Sequence, residues 1–327
     1  MQDVTNLAFW HCVAPRGGPD IYVTEYFRVH PESHLERFIL DSIEQNPTGK
    51  PVIAQMIGND AERLALTARQ LHDYDIFGID MNLGCPAPSV CGKECGGALL
   101  KNSNRIREIV NALRPVVKGT LTLKTRVGYE SPDEFDRLLD LFATLPIDGL
   151  SIHGRTVQEK YQSLVHTEKI AEAAANLPYP VYANGSMVSV ASALGMLRKT
   201  DVSGLMIGRG AIRNPWIFQQ VRQALSHEPV FEPQRRDLLD YVQQLFDEVG
   251  KTIPRYSEKG HVQRIKRFMN YIAIDIDDGA FLHDIRRIKS ANAFDQVCYR
   301  YLDQDGTVAP EPETEGKLFC GFKELAT

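Results

Sequence analysis

MNLGCPAPSVCGKECGGALL, residues 81–100, decides how this chain is read. An apolar run over 77–81 ends at Asn82, turns at Gly84 and presents a thiol at Cys85, followed at once by Pro86. Gly96 and Gly97 then open a further apolar segment. Strand, polar turn with a cysteine, glycine loop, helix: this order predicts one reactive side chain at the carboxyl end of a strand. Parallel α/β sheets and barrels keep their chemistry there.

Outward from that stretch, short β-rich runs alternate with amphipathic helical ones as far as residue 220. The pattern predicts strands over 21–24, 51–57, 77–82, 121–126, 149–153, 181–184 and 204–208. Helices are expected over 61–72, 105–117, 132–145, 168–176 and 190–197. Such alternation means parallel strands joined by crossover helices, and strands apolar on both faces are covered on both. Seven strands fall one short of a closed (β/α)8, or TIM, barrel. Residues 4–15 read as a helix that a strand should precede, so the first barrel strand is expected upstream of Met1 in a longer natural polypeptide.

After residue 232 the texture changes. Runs over 236–249, 262–273 and 281–301 place apolar residues at helical spacing. The expected organisation is a catalytic barrel over 1–230 and an all-helical module over 231–304, joined by a linker at 227–233. Acidic, Pro-rich residues follow, and 305–327 reads as a loose tail.

A chain of 327 residues buries a large core without staples. Six cysteines, at 12, 85, 91, 95, 298 and 320, are too few for a disulfide scaffold and fit a reducing cytoplasm. No apolar run approaches the roughly 18 residues of a membrane helix. The opening residues lack the basic flank of a secretory signal. The net charge of −5 argues against a protein coated in positive charge. Residues 251–300, however, hold ten Lys and Arg against six Asp and Glu, an excess of four. A basic module on an acidic body fits a polyanionic partner, although a solvated helix face with ion pairs explains so modest an excess equally well.

A free thiol keeps its proton at neutral pH, since its usual pKa is about 8.5. Cys85 therefore reads as a proton donor or, beside a base, a nucleophile; the competing reading is a buried structural cysteine. The spacing Cys85-x5-Cys91-x3-Cys95 matches no common Zn or Fe–S pattern, so no metal is expected. Asn184-Gly185-Ser186 and Gly208-Arg209-Gly210 end the last two strands. Loops in those positions form the phosphate site of many barrels. Gln55, Lys124, Arg126, His153 and Arg155 close other strands. A buried lysine needs a partner. For Lys124 that is either a flavin ring edge, where negative charge collects on reduction, or an ion pair with Asp80. Arg264, Arg267 and Phe268 share a helix face that reads as phosphate-binding or simply solvated.

These residues resemble the tRNA-dihydrouridine synthase family, flavin enzymes that reduce uridine in tRNA, from about residue 2 to 300. The strongest motif, N-x-G-C-P-x3-V-x2-K-x3-G-A-x-L, is met by Asn82, Gly84, Cys85, Pro86, Val90, Lys93, Gly97, Ala98 and Leu100. ANG, GRG, HGRT and L-K-x-R-x-G accompany it. The resemblance implies FMN held by Gln55, Lys124, His153, Asn184, Gly185, Ser186, Gly208 and Arg209. Met1 stands where the family's flavin-lining turn has its methionine. Cys85 would give a proton to uracil C5 while reduced FMN gives hydride to C6, with NADPH or NADH as reductant. Asn82 would touch the uracil. Lys93, Arg126, Arg155, Arg264 and Arg267 are assigned to substrate and tRNA, and a cytoplasmic monomer is expected. One departure follows Tyr161: the family's G-x-A-D-W run is replaced by Ser163-Leu164-Val165-His166-Thr167. Two alternatives stay open. One is a dihydroorotate-dehydrogenase-like reductase of a small pyrimidine, which would need no helical module. The other is a flavin-free RNA-binding relative.

Overall fold

The computed structural model describes residues 4–252, 257–313 and 315–327. Its centre is a curled parallel sheet of β1 (Tyr22–Val23), β2 (Phe27–Arg28), β3 (Val52–Ile57), β4 (Gly78–Asn82), β5 (Thr120–Arg126), β6 (Gly149–His153), β7 (Val181–Asn184) and β8 (Gly204–Met206). The order is β1-β3-β4-β5-β6-β7-β8, and β2 also pairs with β3. Val23 pairs with Ile53 but Phe27 pairs with Met56. Three residues, Thr24, Glu25 and Tyr26, thus lie against two of β3. This is a β-bulge, and β1 and β2 are the halves of one strand. The Thr24 hydroxyl fills the break by accepting the Gln55 N–H at 3.0 Å.

Seven barrel positions result, as the alternation predicts, and consecutive parallel strands are joined by helices. Every residue of β3, β4 and β6 is buried, the pattern of strands covered on both faces. β8 pairs with β7 alone among the described residues, and all three of its residues are half-buried. The sheet therefore keeps an edge there.

Helix starts follow their capping residues. Asp60, Asn102, Ser189, Ser257 and Ser290 each accept a backbone N–H of the first turn. In the helix Ala61–Leu71, buried Ala61, Leu64, Ala68 and Leu71 form the stripe laid on the sheet.

The helical region comprises Arg235–Thr252, Glu258–Ile272, Ala280–Arg287 and Ala291–Leu302. The stretch expected as one helix over 281–301 is two. Ile288 turns extended and Ser290 caps a new start. Arg235–Thr252 packs on the helix Leu7–Val13, and the buried Tyr241 hydroxyl donates to Ile212 O at 3.0 Å, seating the bundle on the barrel. No helix among the described residues is long and apolar enough to cross a membrane.

The expectation of a loose tail is corrected. Thr307 bridges to Gln234, and a last helix, Phe322–Ala326, packs on Val190–Thr200. Phe319 and Phe322 are 2% and 0% exposed. Acidic and Pro-rich composition suggested solvation, and two phenylalanines outweighed it: burying each is worth about 1.5–3 kcal/mol.

Candidate active site

The site forms at the carboxyl ends of the strands. At its centre the main chain of Cys85 is fixed from every side. Asn82 Oδ1 accepts the N–H groups of Gly84 and Cys85, both at 3.0 Å. The Gly84 carbonyl accepts from Arg126 Nε at 2.7 Å. The Cys85 carbonyl accepts the Gly97 N–H at 3.0 Å and the Cys91 thiol at 3.4 Å. The glycine pair is needed for this closure. Gly96 has φ +57°, and a Cβ on Gly97 would sit 2.5 Å from Val157 and 3.0 Å from the Cys85 carbonyl. Cys85 itself is half-buried.

A buried polar chain orients Asn82. Thr122 Oγ1 donates to Asp80 at 2.6 Å, Gln55 Nε2 donates to Asp80 at 2.8 Å, and Asn82 Nδ2 donates to Gln55 Oε1 at 2.8 Å. Asp80 accepts at its carboxylate oxygens, so Gln55 must point its amide nitrogen inward and its oxygen at Asn82. Burial pushes the Asp80 carboxyl above the usual range, while Thr122, Gln55 and Lys124 pull it back.

Tyr26, in the bulge, completes the surroundings of the thiol. The Cys85 thiol is among the neighbours that raise its pKa, and the Arg28 guanidinium lies 5.8 Å from its ring centre. Burial, with the neighbouring thiol, pushes the phenol up to about 12, so it stays protonated. Sequence reading missed Tyr26; the bulge that aims it leaves no period in the residues around it.

Cations gather on the same rim. Lys124 donates to Asn184 Oδ1 at 3.2 Å, and no ion pair joins it to Asp80 among the described residues. Burial first, then Arg126, lowers its pKa to about 8. His153 is held well below the usual imidazole range by burial and by Arg126, Lys124, Arg155 and Arg209. Arg155 Nη1 lies 3.3 Å from His153 Nε2. A guanidinium offers only N–H, so Nε2 accepts and the neutral ring carries its proton on Nδ1.

The β7 and β8 loops form the opposite wall. Gly185 has φ +131°, and a Cβ there would meet the His153 ring at 3.1 Å. Ser186 follows at φ +54°, a left-handed position uncommon for a non-glycine residue. A Cβ on Gly210 would lie 2.1 Å from Met187 O, so only glycine lets the two loops touch through their backbones. Asn184 Nδ2 donates to Met206 O at 2.6 Å. The Tyr161 ring stands over the mouth, 5.3 Å from the Arg126 guanidinium and 4.4 Å from that of Arg209.

A family model described as dihydrouridine synthase (Dus) matches residues 1–300. The chain belongs to the dihydrouridine synthase family. A probable tRNA-dihydrouridine synthase of Helicobacter pylori J99 is 29% identical over 306 residues, 92% of this chain and 90% of that one. The tRNA-dihydrouridine(16) synthase of Neisseria meningitidis Z2491 is 30% identical over 84% of this chain and 85% of its own length. A tRNA-dihydrouridine synthase B of Xanthomonas campestris is 32% identical over 71% and 70%. Two solved structures share the barrel fold at 10% identity. Histamine dehydrogenase from Rhizobium sp. 4-9 aligns with TM-score 0.55 over 95% of this chain and 62% of that one. The 6-hydroxypseudooxynicotine amine oxidase of Pseudomonas geniculata N1 gives 0.51 over 69% and 45%. The chain spans less than two thirds of either structure.

In this chain, Gln55, Asn82, Cys85, Lys124, His153, Asn184, Gly185, Ser186 and Gly208 fall in the carboxyl halves of the strands or in the loops that follow them, and Arg209 opens the short helix Arg209–Arg213. Met1 lies outside the described residues. Three expected RNA contacts are corrected. Arg126, Arg155 and Arg264 are 1%, 0% and 7% exposed. Arg126 is spent on the carbonyls of Gly84, Thr156 and Lys160. Arg155 is spent on Ser163 O, Ser186 Oγ and Cys320 O. Arg264 lies inward with Phe268. Lys93 and Arg267 are exposed. The long apolar stems of arginine let it reach main-chain acceptors below the surface, which charge counting does not register.

The residues present fit a flavin mononucleotide. Buried Arg155 donates to the neutral oxygens of Ser163, Ser186 and Cys320, and Arg209 stands beside it at the junction of two glycine loops that no Cβ could enter. Cations and hydroxyl donors at such a junction suit a phosphate.

Proposed function

We propose that this chain reduces uridines in tRNA to 5,6-dihydrouridine at the barrel mouth. The observation that carries the reading is a thiol on a turn, Gly84–Cys85, whose main chain is pinned by five hydrogen bonds, on one rim with a buried lysine and the two glycine loops. FMN is the proposed cofactor: Lys124, His153, Gln55 and Asn184 would lie along its ring edge, and Ser186, Arg209 and the backbone of Gly185 and Gly208 at its phosphate. The chemistry FMN supplies when bound is hydride delivery to uracil C6, with NADPH or NADH as the source of electrons.

Everything else falls to the protein. Cys85 would give a proton to C5 as negative charge develops there; positioned general acids contribute roughly 10²–10⁴-fold. Asn82, Arg126 and Gly97 fix where that sulfur stands. Lys124 meets charge on the ring edge with a cation already desolvated and in place. Its pKa near 8, low for burial among other cations, would rise once an anion faces it. His153, neutral with Nδ1–H, offers a donor without adding charge. The target base must leave its stack to reach Cys85, at a cost of a few kcal/mol. Residues 231–304, with exposed Arg267, are proposed to hold the tRNA, and Lys93 to meet it beside the thiol loop.

The test is direct. The chain, loaded with FMN, is incubated with NADPH and an unmodified tRNA transcript, and the digested nucleosides are weighed. A uridine heavier by one H2 is the expected product. No product from any tRNA, together with turnover of a free pyrimidine, would move the assignment to a small-molecule reductase.

A further inference from the structure

The segment after the helical region folds back over the β7 and β8 loops. Arg213 donates to the Ala309 and Pro310 carbonyls. Arg209 Nη1 donates to Leu318 O. The Cys320 carbonyl accepts the Ser186 hydroxyl at 2.5 Å and Arg155 Nη2 at 2.8 Å. Gly321, at φ +72°, lets the chain lie on Arg155: a Cβ there would sit 3.2 Å from Nη2. Arg155, Arg209 and Ser186 are the side-chain donors assigned above to a phosphate.

We propose that this carboxyl-terminal strap is a built-in occupant of the phosphate subsite, and that FMN loads only as residues 316–321 lift. The inference rests on the reading that the chain binds FMN. Exclusion follows from proton counting. Ser186 has one hydroxyl proton, and it cannot serve both Cys320 O and a phosphate oxygen. Arg155 already spends Nη2 on three protein oxygens. Docking is also displaceable. Arg155 and Arg209 face neutral carbonyls, and a charged acceptor makes hydrogen bonds about twice as strong.

The strap is held by groups that a flavin would not touch. Glu315 accepts the N–H groups of Gly321 and Lys323, both at 3.0 Å, and the Gly316 N–H donates to Phe319 O at 2.8 Å. Phe319 lies edge-on to Tyr271, 6.3 Å between centres. Leu325 O rests on Gly195, where a Cβ would come within 1.6 Å. Gly195→Ala therefore expels the last helix while improving the helix propensity of its own segment. Glu315→Ala removes the latch of the turn. Neither residue belongs to the site.

The experiment uses the full-length apoprotein. FMN and riboflavin, which lacks the phosphate, are titrated by flavin fluorescence, and hydrogen exchange is followed in peptides spanning 315–323. FMN is expected to speed exchange of the Gly316, Gly321 and Lys323 amides, and riboflavin to leave it unchanged. Both variants should bind FMN roughly tenfold more tightly, and riboflavin as before. Slower or unchanged exchange on FMN binding overturns the proposal, even if the variants do not fold, because that arm uses the unaltered chain. Equal FMN affinity in wild type and folded variants overturns it also. Failure of every form to bind either flavin overturns the FMN reading itself.

Discussion

Single residues do two kinds of work at this mouth: a few are exposed to react, and more are buried to hold those still. Asn82 belongs to the second kind. The resemblance gives it to the uracil, yet its oxygen serves two backbone N–H groups and its nitrogen serves Gln55. Asn82→Ala leaves these partners unpaired and should destabilise the chain by about 1–3 kcal/mol in urea unfolding; an unchanged midpoint would mean that the turn holds itself. Lys124 has a sign that can be worked out. Its folded pKa of about 8 lies under its ordinary 10.5, so below pH 8 the fold carries the full burden of the buried charge. That burden, on the order of 3 kcal/mol, fades as pH rises from 8 toward 10.5. The stability of the apoprotein relative to Lys124→Met should therefore climb across that window. A flat difference would show that Lys124 is not desolvated.

Elements were legible where one force dominates. β3, β4 and β6 are apolar on both faces, and their predicted bounds match the observed ones within a residue. The Cys85 loop and the β7 and β8 loops were legible because glycines mark close approach. What escaped was structure decided by side chain against main chain. The bulge at Thr24–Tyr26 rests on the Thr24 hydroxyl, and the short 3-10 turn Gly96–Lys101 on the Cys85 carbonyl. Arg126 and Arg155 were read as strand-end contacts for substrate and tRNA, whereas both serve carbonyls in the interior. The tail was read from composition, and its two buried phenylalanines lie beyond the acidic run. At this scale Gly210→Ala is informative. Its Cβ would collide with Met187 O, so the loops must part, and flavin retained on gel filtration should drop severalfold. Full retention would remove the phosphate subsite from this junction.

For the whole molecule, the helical region over 231–304 balances its charges, but residues 251–300 gather ten Lys and Arg against six Asp and Glu, a local excess that suits a polyanionic substrate. tRNA affinity should fall steeply with salt, and Lys93→Ala with Arg267→Ala should weaken it further and flatten the slope. Reduction of the bound flavin by NADPH should not change. The barrel mouth supplies the rest, with a thiol and a cationic wall on one rim. The decisive measurement is anaerobic and single-turnover: FMN-loaded protein is reduced with NADPH, mixed with unmodified tRNA, and followed by flavin reoxidation. Cys85→Ala should bind and reduce flavin as wild type does, yet reoxidise at least ~100-fold more slowly. Reoxidation at the wild-type rate, with dihydrouridine formed, would contradict the role given to this sulfur.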